Sequence, residues 1–309
     1  MIEINDYSKV FEALVDRTAR YVTTNNLKAM ILGISGGIDS TVVAAVCHEV
    51  FKRTNIPLIG RSLPTKFNKE GETTTADLVG KAFCTDYKVF NMDLSYRKFA
   101  YDITFSEGLI DTSGPFDFDK KLPKQTNLAN GNIQARLRMI YLYNLASVYG
   151  GLVMDTDNLT ENNLGYFTIH GDVGDFNPIG GLWKTEIFEL AEWIMNWYGS
   201  YTHTYFYTDA PEIIEYKQGN LAKAKAISES LKLKPTAGLG ITDNDLEELG
   251  AESYEQVDKV LQCLTDSSIS TDTIDDIPDT VLESIVRRYN ASKFKRKRLP
   301  IKIDRIWLQ

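Results

Sequence analysis

The chain's 309 residues, 43% hydrophobic and 25% charged, suit a globular protein with one large α/β domain or two small ones. A net charge of −8 argues against a protein that coats nucleic acid, and no apolar stretch nears the roughly 20 residues that span a bilayer. The N-terminus is charged rather than signal-like, and Cys47, Cys84 and Cys263 are widely spaced, which points to core thiols in a reducing cytoplasm.

From the N-terminus, residues 6 to 24 place Val10, Leu14, Val15, Ala19 and Val22 at the spacing of an amphipathic helix. The apolar run Ala29 to Ile34 has the length of a buried strand. It breaks at Ser35-Gly36-Gly37-Ile38-Asp39-Ser40, and a helix opens over Thr41 to Val50. A strand that stops on a serine and two glycines and then starts a helix aims several backbone N–H groups and a helix N-terminus at one point, which makes an anion cradle. The Gly-Lys-Ser/Thr ending of a Walker loop is absent.

A second strand is predicted over Pro57 to Leu63, a helix over Glu72 to Phe83 and a third strand over about Asp86 to Met92. Residues 107 to 130 are rich in Gly, Asp, Pro, Lys and Asn and read as a long functional loop. A helix follows from Asn132 to Tyr149 with a buried stripe of Ile133, Leu137, Ile140, Asn144 and Val148. Arg136 and Arg138 flank that stripe on opposite edges, so periodicity does not choose between them. Met139, Tyr141 and Tyr143 add more apolar surface than one sheet face covers.

Gly151 to Met154 reads as a short buried strand. The segment 155 to 180 after it is dense in hydroxyls, carboxylates and amides, with Tyr166, Phe167, Phe176 and Pro178 to pin it. A helix starts at Lys184 and runs to about Tyr198, a further one covers Leu221 to Leu231, and Lys293 to Arg298 form a basic cluster. Strands alternating with helices predict an α/β fold: a doubly wound parallel sheet with helices on both faces and ligands at the carboxyl ends of its strands. Ser35, Asp39 and the segment after Met154 then share one crevice. No internal repeat or low-complexity tract is present.

Ser-Gly-Gly-x-Asp-Ser resembles the PP-loop of the ATP pyrophosphatases. Gly131-Asn-Ile-Gln-Ala-Arg-Leu-Arg-Met139, Thr156-Asp-Asn-x-x-Glu161, Gly165-Tyr-Phe-Thr168 and Asn177-Pro-Ile-Gly-x-Leu-x-Lys-Thr185 extend the match. This ordered set, from about residue 25 to 190, resembles ammonia-dependent NAD synthetase, an adenine nucleotide alpha hydrolase-like fold. The resemblance implies a cytoplasmic homodimer that uses ATP and Mg²⁺ to adenylate deamido-NAD, releases pyrophosphate, and lets ammonia displace AMP. It implies neither a nucleic-acid partner nor a membrane, and no span is left for a glutaminase domain.

Carried over residue by residue, it assigns ATP binding to Gly33, Ile34, Ser35, Gly36, Gly37, Ile38, Asp39, Ser40, Thr156, Lys184 and Thr236, with Asp39 and Lys184 also catalytic. Asp39 and Glu161 are the Mg²⁺ ligands, as hard oxygen donors on two strand ends. Lys184 opens a helix, where its charge opposes the macrodipole, as a ligand-facing cation would. Deamido-NAD falls to Asn132, Arg136, Asp175, Phe294 and Lys295, while Arg138 is assigned to the surface or an interface. The rest of the basic run is open between substrate contact and a solvated tail.

Four departures stand out. Asp155 replaces the usual Gly and puts an extra carboxylate close to the ATP site; Ile169 replaces a substrate-binding Lys; the Gly171–Asp175 loop is one residue short; and residues 199 to 234 form an inserted helical segment. The whole, residues 1 to 309, is expected to be one domain with a basic tail from about 290 to 309. The alternatives are another PP-loop ligase, which the acidic balance and scattered cysteines oppose, and a non-catalytic adenine-nucleotide sensor, which would be expected to lose Asp39, Glu161 or Lys184.

Overall fold

In the first strand, β1 (Met30–Gly33), side chains alternate between two hydrophobic cores. Met30, Leu32 and the following Ile34 join one, and Ala29 and Ile31 join the other, as a strand buried on both faces requires. The computed structural model describes residues 4–108, 124–200, 211–234, 245–296 and 301–302. Around β1 the parallel sheet runs β3 (Asp86–Val89), β2 (Leu58–Ser62), β1, β4 (Leu152–Val153). A second parallel pair, β5 (Phe176–Asn177) with β6 (Ile301–Lys302), continues beyond β4 through a bridge from Met154 to Phe176.

One face is covered by α1 (Tyr7–Thr24), α2 (Ile38–Thr54), α3 (Glu70–Phe83), α7 (Lys184–Ser200) and α8 (Pro211–Lys232). The other is covered by α5 (Lys124–Tyr149), beside α4 (Asp93–Ser106). A satellite core joins α6 (Leu159–Leu164), α9 (Asp245–Leu249), α10 (Tyr254–Thr265) and α11 (Asp279–Ala291) around Trp183. The doubly wound parallel sheet is therefore as expected.

Local differences have clear causes. α4 was not anticipated, and residues 124 to 130, expected as loop, are the first turns of α5. The expected helix over 221 to 231 lies within α8, whose Ala226, Ile227 and Ser230 are fully enclosed by the main core.

The α5 stripe is rotated. Met139, Leu142 and Ala146 face the sheet, whereas Ile140 and Val148 are exposed at 62% and 69%. α5 carries two apolar stripes, and the one with alanines lets the helix approach closely. Leu142 comes so near β1 that a Cβ at Gly33 would lie 3.3 Å from its Cδ1. Met139 is accordingly buried rather than exposed.

Candidate active site

Where β1 ends, Ser35, Gly36 and Gly37 turn the chain into α2. Gly36 has φ +88°, and a Cβ there would fall 2.4 Å from the Glu72 carbonyl oxygen and 2.8 Å from the Ala76 nitrogen, so α3 leaves room for glycine alone. Ser35 Oγ accepts from Gly37 N–H at 3.2 Å and lies 3.0 Å from Ser40 Oγ, while the Ser40 and Thr41 hydroxyls donate to the Gly37 carbonyl at 3.0 and 2.9 Å. Gly37 supplies no side-chain cap to α2. The helix's first-turn N–H groups, which have no intrahelical partner, are therefore available to an anion in the cradle.

Three charged side chains converge beside it. Lys184, the first residue of α7 and only 1% exposed, donates from Nζ to Asp39 Oδ2 at 2.5 Å and to Glu161 Oε1 at 3.1 Å. Burial alone would lower its pKa, but the facing carboxylates of Asp39 and Glu161 raise it well above the usual lysine value. Asn158 completes the set: its Nδ2 donates to Asp39 Oδ1 at 2.9 Å, and its backbone N–H donates to Glu161 Oε2 at 3.2 Å. Asn158 and Glu161 form a capping box at the start of α6, a spacing visible in Asn-x-x-Glu but not read for this role.

The expected extra carboxylate near the ATP site, Asp155, is instead a buried brace. Its oxygens accept from Asp157 N–H at 2.7 Å, Gly174 N–H at 2.8 Å and Asn177 Nδ2 at 3.0 Å, which tie both ends of the 155–180 segment together. Burial pushes its carboxyl up to about 7 despite these donors. Burial first, then the neighbouring charge of Asp155, holds Asp157 well above the usual carboxylate range. Thr156 sits half-buried between them, at the end of β4. Phe167, Phe176 and Pro178 pin the segment as anticipated, and Arg288 covers the Tyr166 ring at 4.4 Å.

Of the residues expected at the dinucleotide, three meet along 165–169. Asn132 Oδ1 accepts from the Thr168 hydroxyl at 2.8 Å, and the exposed Arg136 donates from Nε to the Ile169 carbonyl at 3.3 Å. Lys295 Nζ donates to the carbonyls of Gly165 and Phe167 at 2.7 and 2.5 Å. Phe294 is exposed at 64%. Asp175 accepts from Tyr143 Oη at 3.1 Å and from Val153 N–H at 3.0 Å, so its carboxylate also secures β4. In the basic run, Arg296 donates from Nη1 to the carbonyls of Asn163 and Tyr289, so it is tied to the body rather than left as a solvated tail residue. Thr236 lies outside the described residues.

Arg138, expected at the surface or an interface, is half-buried against the loop after β2, donating from Nε to the Leu63 carbonyl at 3.0 Å and from Nη2 to Asn68 Oδ1 at 3.2 Å. The rotation of α5 that buries Met139 carries Arg138 inward and leaves Arg136 outside.

A family model described as NAD synthase matches residues 10–299, nearly the whole chain. The chain belongs to the NAD synthase family. It is 28% identical over 300 residues to the NH(3)-dependent NAD(+) synthetase of Thermoplasma volcanium, with 97% of this chain and 98% of that protein covered. To the NH(3)-dependent NAD(+) synthetase of Pyrococcus furiosus it is 30% identical over 300 residues, covering 95% and 96%. Among solved structures, the NMN synthetase from Francisella tularensis shares the fold at a TM-score of 0.69 and 23% identity, covering 96% of this chain and 98% of that one.

Within the NAD synthase family fold, the strand ends thus bring together the PP-loop, Thr156 and the Asp39–Lys184–Glu161 cluster, with the 165–169 segment and Lys295 alongside. Among the described residues, no helix is long and apolar enough to cross a membrane.

Proposed function

We propose that this chain amidates deamido-NAD with ammonia at the expense of ATP, releasing AMP and pyrophosphate. The observation that carries the reading is Lys184, buried and held by Asp39 and Glu161 at the mouth of a PP-loop that only Gly36 can shape. A nucleotide sensor has no need of this lysine between two carboxylates. The substrate carboxylate attacks the α-phosphorus of ATP, the bond to the β-phosphate oxygen breaks, and ammonia then displaces AMP at the carbonyl carbon. The α2 N–H groups and Lys184 bind the departing pyrophosphate, so negative charge develops against preset donors.

Asp39 and Glu161 fit Mg²⁺. Both touch the same Nζ, so they lie close together, and two carboxylates completed by phosphate oxygens and water are a usual Mg²⁺ donor set. Bound there, Mg²⁺ would neutralise phosphate charge. Asn158 and Lys184 keep the two carboxylates oriented toward that position.

Ammonia rather than glutamine is the nitrogen source in this reading. The relatives matched over nearly their whole length are named NH(3)-dependent, which supports this choice. With ammonium, Mg²⁺, ATP and deamido-NAD, NAD, AMP and pyrophosphate should form in equal amounts, and glutamine should not replace ammonium. Release of ADP and orthophosphate would refute the reaction.

Arg136, Asn132 and Lys295, which meet along 165–169, are proposed to face the dinucleotide together with Asp175 and Phe294. Arg136→Ala should lower kcat/KM for deamido-NAD by about 2–3 kcal/mol, the scale of a charged hydrogen bond, and leave ATP binding nearly unchanged. Unchanged kcat/KM would remove Arg136 from the substrate site.

The enzyme is proposed to work in the cytoplasm as a homodimer and as a single domain that includes residues 199 to 234. Ile140, Tyr143, Val148 and Tyr149 expose apolar surface along α5, beside Phe90 stacked on Tyr141 at 5.3 Å. Sedimentation should give a dimer at micromolar concentration; a fully active monomer would refute it.

A further inference from the structure

The N-termini of α6 and α7 meet at a buried carboxylate that belongs to neither helix. α10 supplies it: Asp258, 2% exposed, accepts from the Thr160 hydroxyl with one oxygen. Its other oxygen accepts from the Thr185 backbone N–H at 3.0 Å and the Thr185 hydroxyl at 2.9 Å. Thr160 Oγ1 accepts in turn from the backbone N–H of Lys184 at 2.9 Å. One turn earlier on α10, the ring of Tyr254 lies 5.7 Å from Lys184 Nζ.

Thr160 adjoins Glu161, and Thr185 adjoins Lys184. One carboxylate therefore ties together the backbones that carry the metal-binding glutamate and the buried lysine. We propose that Asp258 is a positioning residue for the ligase reaction: it locks the start of α7 to α6 and so sets Lys184 Nζ between Asp39 and Glu161. Asp258 touches no reacting atom. An anion at a helix N-terminus is an ordinary stabilising device, but this one grips two helices at once, and a hydroxyl relay ends on the lysine itself. Its three donors are all neutral, a costly arrangement for a buried carboxylate. The inference rests on the reading of Lys184 as the cation that faces the departing pyrophosphate.

Asp258→Asn keeps the shape and removes the charge. Displacements near 1 Å at a catalytic group cost up to about 100-fold in rate. The variant is expected to lose about 10- to 100-fold in kcat with KM for deamido-NAD within about twofold of the parent. Its affinity for inorganic pyrophosphate with Mg²⁺, read by calorimetry, should fall about tenfold. In a Lys184→Ala background the same substitution should change pyrophosphate affinity by less than about twofold, because the group it positions is gone. Thr160→Val breaks only the relay and should give the same pattern, so the test stands even where Asp258→Asn fails to fold. Parental kcat and pyrophosphate affinity in a folded relay variant would overturn the inference, as would an equal loss with and without Lys184. Parental pyrophosphate binding by Lys184→Ala alone would overturn the reading of Lys184 first, a result separable from the others.

Discussion

Asp39→Asn and Glu161→Gln are each expected to lower kcat by about 10²–10³-fold, the usual cost of removing one group that stabilises transition-state charge. Each carboxamide keeps the size of the side chain it replaces but abolishes one of the two charges that hold Lys184 Nζ. The losses should grow at limiting Mg²⁺, because the donor set for the metal loses one of its two charges while the lysine loses a charged partner. Asp39→Asn has a further consequence: Asn158 Nδ2, now 2.9 Å from Asp39 Oδ1, loses a charged acceptor that helps orient the start of α6. Rates are checked by quantifying AMP and NAD together over a Mg²⁺ titration. Near-parental turnover of both variants at limiting Mg²⁺ would show that the pair is not the metal site.

Arg138→Ala should cost stability rather than substrate affinity, about 3 kcal/mol. The figure combines a lost half-buried side chain with two hydrogen bonds from a charged donor. The guanidinium fastens α5 to the loop after β2, and its removal leaves the Leu63 carbonyl and Asn68 Oδ1 without that donor. Asn68 also donates from Nδ2 to Glu72 Oε2 at 3.1 Å at the start of α3, the helix that crowds Gly36, so the damage should spread toward the PP-loop. Arg138→Met, which refills most of the volume, separates lost packing from lost hydrogen bonds. Urea denaturation reads both variants; an unchanged midpoint for Arg138→Ala would mean that the buried guanidinium contributes nothing.

What was legible in the sequence was what neighbouring residues decide. The strand before Ser35 is marked by an apolar run, the cradle by two glycines, and the doubly wound sheet by strands alternating with helices. The rotation of α5 was not legible, because the helix carries two apolar stripes and only the closeness of the sheet selects the one with small residues. The inward turn of Arg138 was hidden for the same reason. Asn158 acts on Asp39, 119 residues away, and no local pattern announces such a pairing. β5 and β6 are two residues each, too short for any periodicity, and exist through pairing with residues distant in the chain. The Asp155 brace likewise joins residues on both sides of a turn-rich segment, a pairing that no local pattern marks.

The contacts of Lys295 also set an order of assembly on the ribosome. The carbonyls of Gly165 and Phe167 wait for a lysine that lies 130 and 128 residues further along the chain, and β5 waits nearly as long for β6. At usual elongation rates that interval lasts on the order of ten seconds. During it, β1 and β2, α2 and α3 have already emerged and can close the cradle around Gly36. The nucleotide half of the crevice is thus built early, and the wall assigned to the dinucleotide is fastened last. A nascent chain halted before Lys295 would carry a finished PP-loop next to a 165–169 segment held by Asn132 and Arg136 but not yet by Lys295.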